Sequence, residues 1–182
     1  MGDFMLQHYY ETKHLILRTE AEQSWHRILD FYEENKEHLE PFELTRDSNF
    51  YTPTYQLKIL SIETQLTKSN TYLRLWLYRK QNPKQIIGTI CFSDIFHGTA
   101  LLGYKLDYRF LKRGYCYEAC KKGIEIVTSY YGVSTIQASV MPSNLSSIHL
   151  LERLQFQYLK EEPTFTEING KPEKMLRYQW SF

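Results

Sequence analysis

The sequence predicts an α+β chain in which a mixed, mostly antiparallel central sheet of about seven strands is flanked by four helices in an α/β/α layering. Three observations carry this. A strand-like run near residue 15 hands over to two stretches with apolar residues at helical spacing; residues 72–108 then change to strand runs separated by short polar turns; and the remainder alternates helix, strand, helix, strand, strand. With 182 residues, 42% of them hydrophobic, the chain is long enough to bury a core. No repeat, low-complexity segment or linker marks a boundary, so one domain over 1–182 is expected.

Each element has a local reason. "HLILRT", His14 to Thr19, alternates and is rich in branched residues, which predicts a strand. Thr19 with Glu22 has the spacing of a capping box, and Trp25, Ile28, Leu29 and Tyr32 follow on one helical face. Thr52-Pro53 supplies an N-cap and a first-turn proline for a second helix, whose apolar face is read as Tyr55, Ile59, Ile62 and Leu66. "YLRLWLY", "QIIGTICFS" and "ALLGYKLDY" are strands of an antiparallel meander, with turns at Lys80 to Lys84 and His97-Gly98. Cys116, Ala119, Gly123, Ile126 or Val127, and Tyr130 fit a helix that ends at Gly132. "VSTIQASV" predicts a strand, "SNLSSIHLLERL" a short helix, and "FQYL" and "EKMLRYQW" two late strands joined through Asn169-Gly170, a type I′ turn signal.

Composition excludes several classes. A formal charge of +1 gives no overall basic footprint, which disfavours direct nucleic acid binding. No apolar run is long enough to span a bilayer, "MGDFMLQHYYETKH" lacks the pattern of a secretory signal, and Gly2 lacks the downstream Ser or Thr of a myristoylation site; a soluble cytoplasmic protein is expected. Cys91, Cys116 and Cys120 form no CxxC pair and are read as buried thiols. The six histidines show no i, i+4 pair, so no metal site is expected.

"RFLKRGYCYEA", Arg109 to Ala119, places three cations and a glycine between a strand and a helix. A helix N-terminus offers unpartnered N–H groups and partial positive charge, Gly114 permits close backbone approach, and Arg109, Lys112 and Arg113 add full charges. Cations there are unfavourable to the helix itself, so the turn reads as a pyrophosphate cradle; the alternative is a solvated basic helix start.

At these residues the chain resembles the GNAT superfamily of acetyl-CoA-dependent N-acetyltransferases, whose phosphate signature is Arg or Gln, two residues, Gly, one residue, then Gly or Ala. Arg109 and Gly114 match, followed by Tyr115, Glu118 and Ala119 of a G-Y-x-x-E-A extension, while Lys112 stands at the first glycine. "NLSSIHLLERLQF", Asn144 to Phe156, is similar to the family's N-x-x-S and L-x-x-L-G-F segment, with Gln155 in place of the glycine. "NKEHLEPFELTRD", Asn35 to Asp47, and "EINGKPEK", Glu167 to Lys174, resemble the ribosomal-protein alanine N-acetyltransferase branch.

The resemblance implies acetyl transfer from acetyl-CoA to a primary amine. It implies contacts to the cofactor from Arg109, Lys112, Arg113, Gly114 and Tyr115 at the phosphates, from the backbone of a splayed strand at Leu106, and from Asn144 and Ser147 toward the thiol. Ser147 is the implied proton donor to the departing thiolate; Glu43 is a base candidate, read alternatively as an exposed loop carboxylate, and the alternative for Asn144 is that it or Ser143 merely caps a helix. Glu118 is read as structural. The expected acceptor is a protein N-terminal α-amine of ribosomal-protein type. A small cation such as a polyamine or aminoglycoside, for which Glu33, Glu34, Glu37, Glu40 and Glu43 are available, and a non-catalytic acyl-CoA-binding module stay open, as does a homodimer.

Overall fold

The computed structural model describes residues 8–182. The leader and Gly2 readings fall mostly on residues outside that range. In chain order the elements are β1 (Tyr9–Glu11), β2 (Leu15–Arg18), α1 (Trp25–Glu34), α2 (Lys36–Leu39), α3 (Pro53–Lys68), β3 (Leu73–Arg79), β4 (Asn82–Phe96), β5 (Thr99–Leu106), α4 (Tyr115–Tyr131), β6 (Thr135–Val140), α5 (Leu145–Arg153), β7 (Gln157–Glu161), β8 (Thr166–Ile168), β9 (Lys171–Glu173) and β10 (Leu176–Ser181). Eight strands form one sheet in the order β1-β2-β3-β4-β5-β6-β10-β7. Every neighbouring pair is antiparallel except β5 and β6. The α+β class holds, with three more strands than predicted and one extra helix, the single turn α2.

Alternation divides the core between the two faces of the sheet. Leu15, Leu17, Leu73, Leu75 and Leu77 point to the side covered by α4 and α5, where Ala119, Cys120 and Leu151 are buried. Ile16, Trp76 and Tyr78 point to the other side, against Ile28, Phe31 and Tyr32 of α1 and Leu60 of α3. Burial on both faces is why the central strands read as nearly continuous apolar runs.

Several local expectations need correction. The Thr19 and Glu22 capping box does not form: Thr19 Oγ1 meets His8 Nδ1 at 3.0 Å, and a 3-10 turn over Glu22–Ser24 precedes α1. Glu20, its side chain 5% exposed, organises that corner instead, accepting from Ser24 Oγ, from Tyr78 OH at 2.5 Å and from Arg18 Nε at 2.7 Å. The buried face of α3 is Gln56 and Leu60, while Ile62 and Leu66 are 40% and 39% exposed. This helix carries apolar residues around its circumference, so spacing alone does not choose the face; the Gln56 amide donating to the Phe50 carbonyl at 2.7 Å does. Thr52 caps it as expected, accepting from the Tyr55 N–H at 3.3 Å.

Asn169 and Gly170 both have positive φ, 47° and 73°, as a type I′ turn requires, but they join β8 to β9 in a separate two-stranded hairpin. The two late strands are β7 and β10, paired in the main sheet. Of the cysteines only Cys120 is buried; Cys91 and Cys116 are half-buried, and all three are free. No helix among the described residues is long and apolar enough to cross a membrane.

Candidate functional site

The site begins where the sheet parts. β5 and β6 run parallel and pair only at Thr99–Thr135, Ala100–Ile136 and Leu101–Gln137, although β5 continues to Leu106 and β6 to Val140. On its other edge β5 stays paired with β4 to Leu106, and the next residue, Asp107, donates its N–H to the Ile87 carbonyl at 2.9 Å. Strand residues alternate the edge to which they turn their N–H and C=O. Leu102, Tyr104 and Leu106 therefore turn theirs toward the gap.

The gap leads to the cationic turn. After β5 a 3-10 turn over Tyr108–Phe110 precedes Lys112 at φ 58° and Gly114 at φ 80°. α4 starts at Tyr115 with Gly114 as its N-cap, so no side chain caps the helix. The N–H groups of Tyr115, Cys116 and Tyr117 thus lack intrahelical acceptors, and a Cβ built on Gly114 would meet nothing within 4 Å. Lys112 and Arg113 are exposed beside this opening. Tyr115 is half-buried against the His14 and Phe110 rings, and Glu118 accepts from both the backbone N–H and the Nδ1 of His14 at 2.7 Å, a structural tie as expected. Arg109 faces a different way: its Nε lies 3.0 Å from each oxygen of Asp107, and its Nη2 also meets Glu34.

Lys112 occupies the left-handed region that glycine favours, and so does Gln155 at φ 68°. At Gln155 the backbone completes a Schellman end to α5, with the Phe156 N–H on the Leu151 carbonyl at 2.9 Å and the Gln155 N–H on Glu152 at 2.9 Å. Both replacements of a family glycine therefore keep the conformation a glycine would supply.

At the other end of the gap, Asn144 Oδ1 caps α5 by accepting from the Ser147 N–H at 3.1 Å, which realises the capping reading. Ser147 Oγ lies 2.5 Å from Tyr104 OH. Burial pushes the Tyr104 phenol well above its ordinary value, only partly offset by the bond to Ser147, so the ring keeps its proton at neutral pH.

Glu43 is not an exposed loop carboxylate. It is 14% exposed, one oxygen 2.5 Å from Lys105 Nζ and the other on Arg46. Burial, with Arg74 and Arg46 nearby, pulls the Lys105 ammonium down, and Tyr32 opposes it. The backbone around Glu43 is pinned by the late hairpin: Asn169 donates to the Glu43 carbonyl at 3.1 Å, Gly170 to Thr45 Oγ1 at 2.7 Å, and Leu44 bridges to Ile168. Beside this cluster lies a cavity of about 260 Å³ lined by Tyr32, Phe50, Tyr55, Trp76, Arg74 and Lys105 among others. Its carboxylate, Glu63, is paired with Arg74 at 2.9 Å. Of the five glutamates from Glu33 to Glu43, Glu34 pairs with Arg109, Glu40 with Lys36, and Glu43 with Arg46 and Lys105; Glu33 and Glu40 line a second cavity with Asp47, which Lys36 and Arg46 also line. Among the described residues no group of three or more His, Cys, Asp or Glu is placed to hold a metal.

Sequence reasoning missed Tyr104, Lys105 and Asp107. Their signal was the polar sequence "YKLD" closing an otherwise apolar strand.

The geometry agrees with comparison to known proteins. A family model described as an acetyltransferase (GNAT) domain matches residues 10–157. The ribosomal protein uS5-alanine N-acetyltransferase of Escherichia coli (strain K12) is 28% identical over 149 residues, covering 80% of this chain and 76% of the relative. The structure of a ribosomal-protein-S5-alanine acetyltransferase from Vibrio fischeri superposes with a TM-score of 0.89 at 25% identity, covering 95% of this chain and 96% of that one. Mycobacterium smegmatis RimJ, solved in complex with CoA-disulfide, superposes at 0.84 with 18% identity over 92% of this chain and 81% of its own. Because the family match runs from β1 into β7, across the parted sheet, the cationic turn and the Asn144 helix start alike, the chain belongs to the GNAT family and is an acetyl-CoA-dependent acyltransferase.

Proposed function

We propose that this chain, as one domain, transfers the acetyl group of acetyl-CoA to a protein N-terminal α-amine, of the kind presented by a ribosomal protein. The cofactor's pyrophosphate sits on the N–H groups opening α4, with Lys112, Arg113, Gly114 and Tyr115 around it. Its pantetheine arm fills the gap and bonds to the backbone of β5 up to Leu106, while the amide nitrogen of Asn144, whose oxygen is used in the cap, turns to the arm's far end. The neutral amine nitrogen attacks the thioester carbon, the C–S bond breaks, and the Tyr104–Ser147 hydroxyl pair gives the departing thiolate a proton, which it regains through water from the nitrogen of the new amide.

The observation that supports the acceptor is the state of the carboxylates. Glu43 and Glu63 are both already held by cations, and Arg46 with Lys105 leaves the Glu43 cluster net positive. A polyamine or aminoglycoside needs unpaired carboxylates, and a net positive wall disfavours any ammonium. It favours the amine that loses its proton most easily: an α-amine, with a pKa near about 8, is about 10% neutral at pH 7, against well under about 0.1% for a lysine near about 10.4. With Oε2 bonded to Arg46 and Oε1 ion-paired to Lys105, Glu43 serves as the anchor of this wall, and the amine sheds its proton to water. The names of the relatives from Escherichia coli and Vibrio fischeri support the same acceptor class. Dependence on acetyl-CoA and a protein acceptor fits a cytoplasmic setting.

The test is thiol release from acetyl-CoA with a peptide bearing a free N-terminal Ala or Ser, against the same peptide blocked at its N-terminus but carrying lysine, with polyamines and aminoglycosides alongside. Faster turnover of lysine or a small amine overturns the acceptor assignment. CoA binding without turnover on any amine favours the non-catalytic module.

A further inference from the structure

We propose that Arg109 is a positioning residue, part of a clamp with Asp107, Asn35 and Glu34 that locks the phosphate turn to the C-terminal end of α1, and that it leaves the phosphates to the helix N–H groups, Lys112 and Arg113. This rests on the cofactor assignment above and reassigns one residue within it. Asp107 and Asn35 are 0% and 1% exposed, two of the few buried polar residues described, and they meet at one junction. Asp107 Oδ1 accepts from the Arg109 N–H at 2.9 Å and from Nε at 3.0 Å; Oδ2 accepts from Nε at 3.0 Å and from Nη2 at 2.5 Å. Asn35 is used at both ends of its amide. Its Nδ2 donates to the Phe31 carbonyl at 2.9 Å, and its Oδ1 accepts from the Tyr108 N–H at 3.1 Å. Glu34, one residue earlier on α1, shares the Arg109 Nη2 with Asp107, and the rings of His38 and Tyr108 lie 6.4 Å apart.

A guanidinium moved from this arrangement onto a phosphate would leave a buried carboxylate without its counter-charge, so the clamp is the lower-energy use of Arg109. Burial pushes the Asp107 carboxyl up, but the hydrogen bonds from Arg109 outweigh it and hold it below its ordinary value, consistent with a permanent pair. The consequence is mechanical. α1 continues through α2 into the segment that carries Glu43, so the phosphate turn and the acceptor wall are fastened to the same helix end.

Calorimetry of acetyl-CoA binding at low and high salt decides it, with wild type, Glu34→Gln, Asn35→Ala, Arg109→Gln and Lys112→Ala. The clamp predicts that Glu34→Gln, Asn35→Ala and Arg109→Gln each weaken binding about three- to tenfold, the net worth of about one hydrogen bond, with an unchanged salt dependence and the loss appearing in KM for acetyl-CoA more than in kcat. Lys112→Ala alone should flatten the salt dependence. If Arg109 is instead a phosphate ligand for which Glu34 competes, Glu34→Gln tightens binding, and that result overturns the proposal. So does wild-type affinity in the folded Glu34→Gln and Asn35→Ala proteins. Glu34 is half exposed, so its variant keeps the test sound should Asn35→Ala fail to fold. A wild-type chain that binds no acetyl-CoA overturns the cofactor assignment itself, and this inference with it.

Discussion

The two ends of the site are built from different materials. The cofactor end is mainly backbone: the start of α4 behind Gly114, the open edge of β5, and a helix start capped within four residues by Asn144. The acceptor end is side chains brought from far apart, with Glu43 meeting Lys105 and Glu63 meeting Arg74 across two sheet strands, α3 and a loop that the β8–β9 hairpin holds in place. Backbone sites depend on local conformation and tolerate varied side chains; side-chain clusters depend on pairing and fail when one partner goes.

The sharpest attempt to break this contrast is Gly114→Asp. Aspartate tolerates a left-handed backbone and nothing lies within 4 Å of the new Cβ, so the protein should fold. A carboxylate about 4 Å from a phosphate costs about 4 kcal/mol at an effective dielectric of about 20, so acetyl-CoA affinity should fall about a thousandfold by calorimetry. Next is Ser147→Ala or Tyr104→Phe, each expected to slow single-turnover acetyl transfer about a hundredfold with little change in acetyl-CoA affinity, and together no more than either alone, since the pair acts as one donor. Additive losses would separate their roles.

At the acceptor end, Glu43→Gln should destabilise the fold by about 3 kcal/mol in thermal or urea unfolding, because Arg46 and Lys105 lose their counter-charge. Adding Lys105→Met should recover much of that stability. Activity that returns with stability identifies an anchor; activity that stays absent in the stable double variant identifies Glu43 as the base. Acid provides a milder probe. Because the Asp107 carboxyl is held below its ordinary value of 3.8, its stabilising contribution is complete above that value and is lost as pH falls below it. Asp107→Asn should remove that part of the acid sensitivity. The smallest effect is Gln155→Gly, which relieves a left-handed non-glycine residue at the end of α5 and should stabilise by at most about 1 kcal/mol, or about 2–4 °C in Tm.

The same contrast explains what could be read from the sequence. Arg109 to Ala119 and Asn144 to Phe156 are contiguous, so turn chemistry and helix-start chemistry sit together in the text of the chain. The Tyr104–Ser147 and Glu43–Lys105 pairs are created only when strand and helix pack, and no spacing rule reports them. β1, β8 and β9 have three residues each, too few for a period to appear, and Asn169-Gly170 therefore named a correct turn between the wrong strands. By sequence, Arg109 shows only its charge. Its carboxylate partners, one two residues away and one on a distant helix, direct that charge inward.

The parted strands carry a consequence for cohesion. Across its middle the eight-stranded sheet is stitched by three residue pairs, against six between β6 and β10 on one side and seven between β4 and β5 on the other. An arm that hydrogen-bonds along β5 in the opening would act as a substitute strand, making the cofactor part of the fabric of the sheet. At a hundred times its Kd, such a ligand stabilises the folded chain by about 2.7 kcal/mol. Amide exchange on the inner edges of β5 and β6 should slow when acetyl-CoA binds and recover when it is spent, so that each turnover loosens and tightens the seam of the protein.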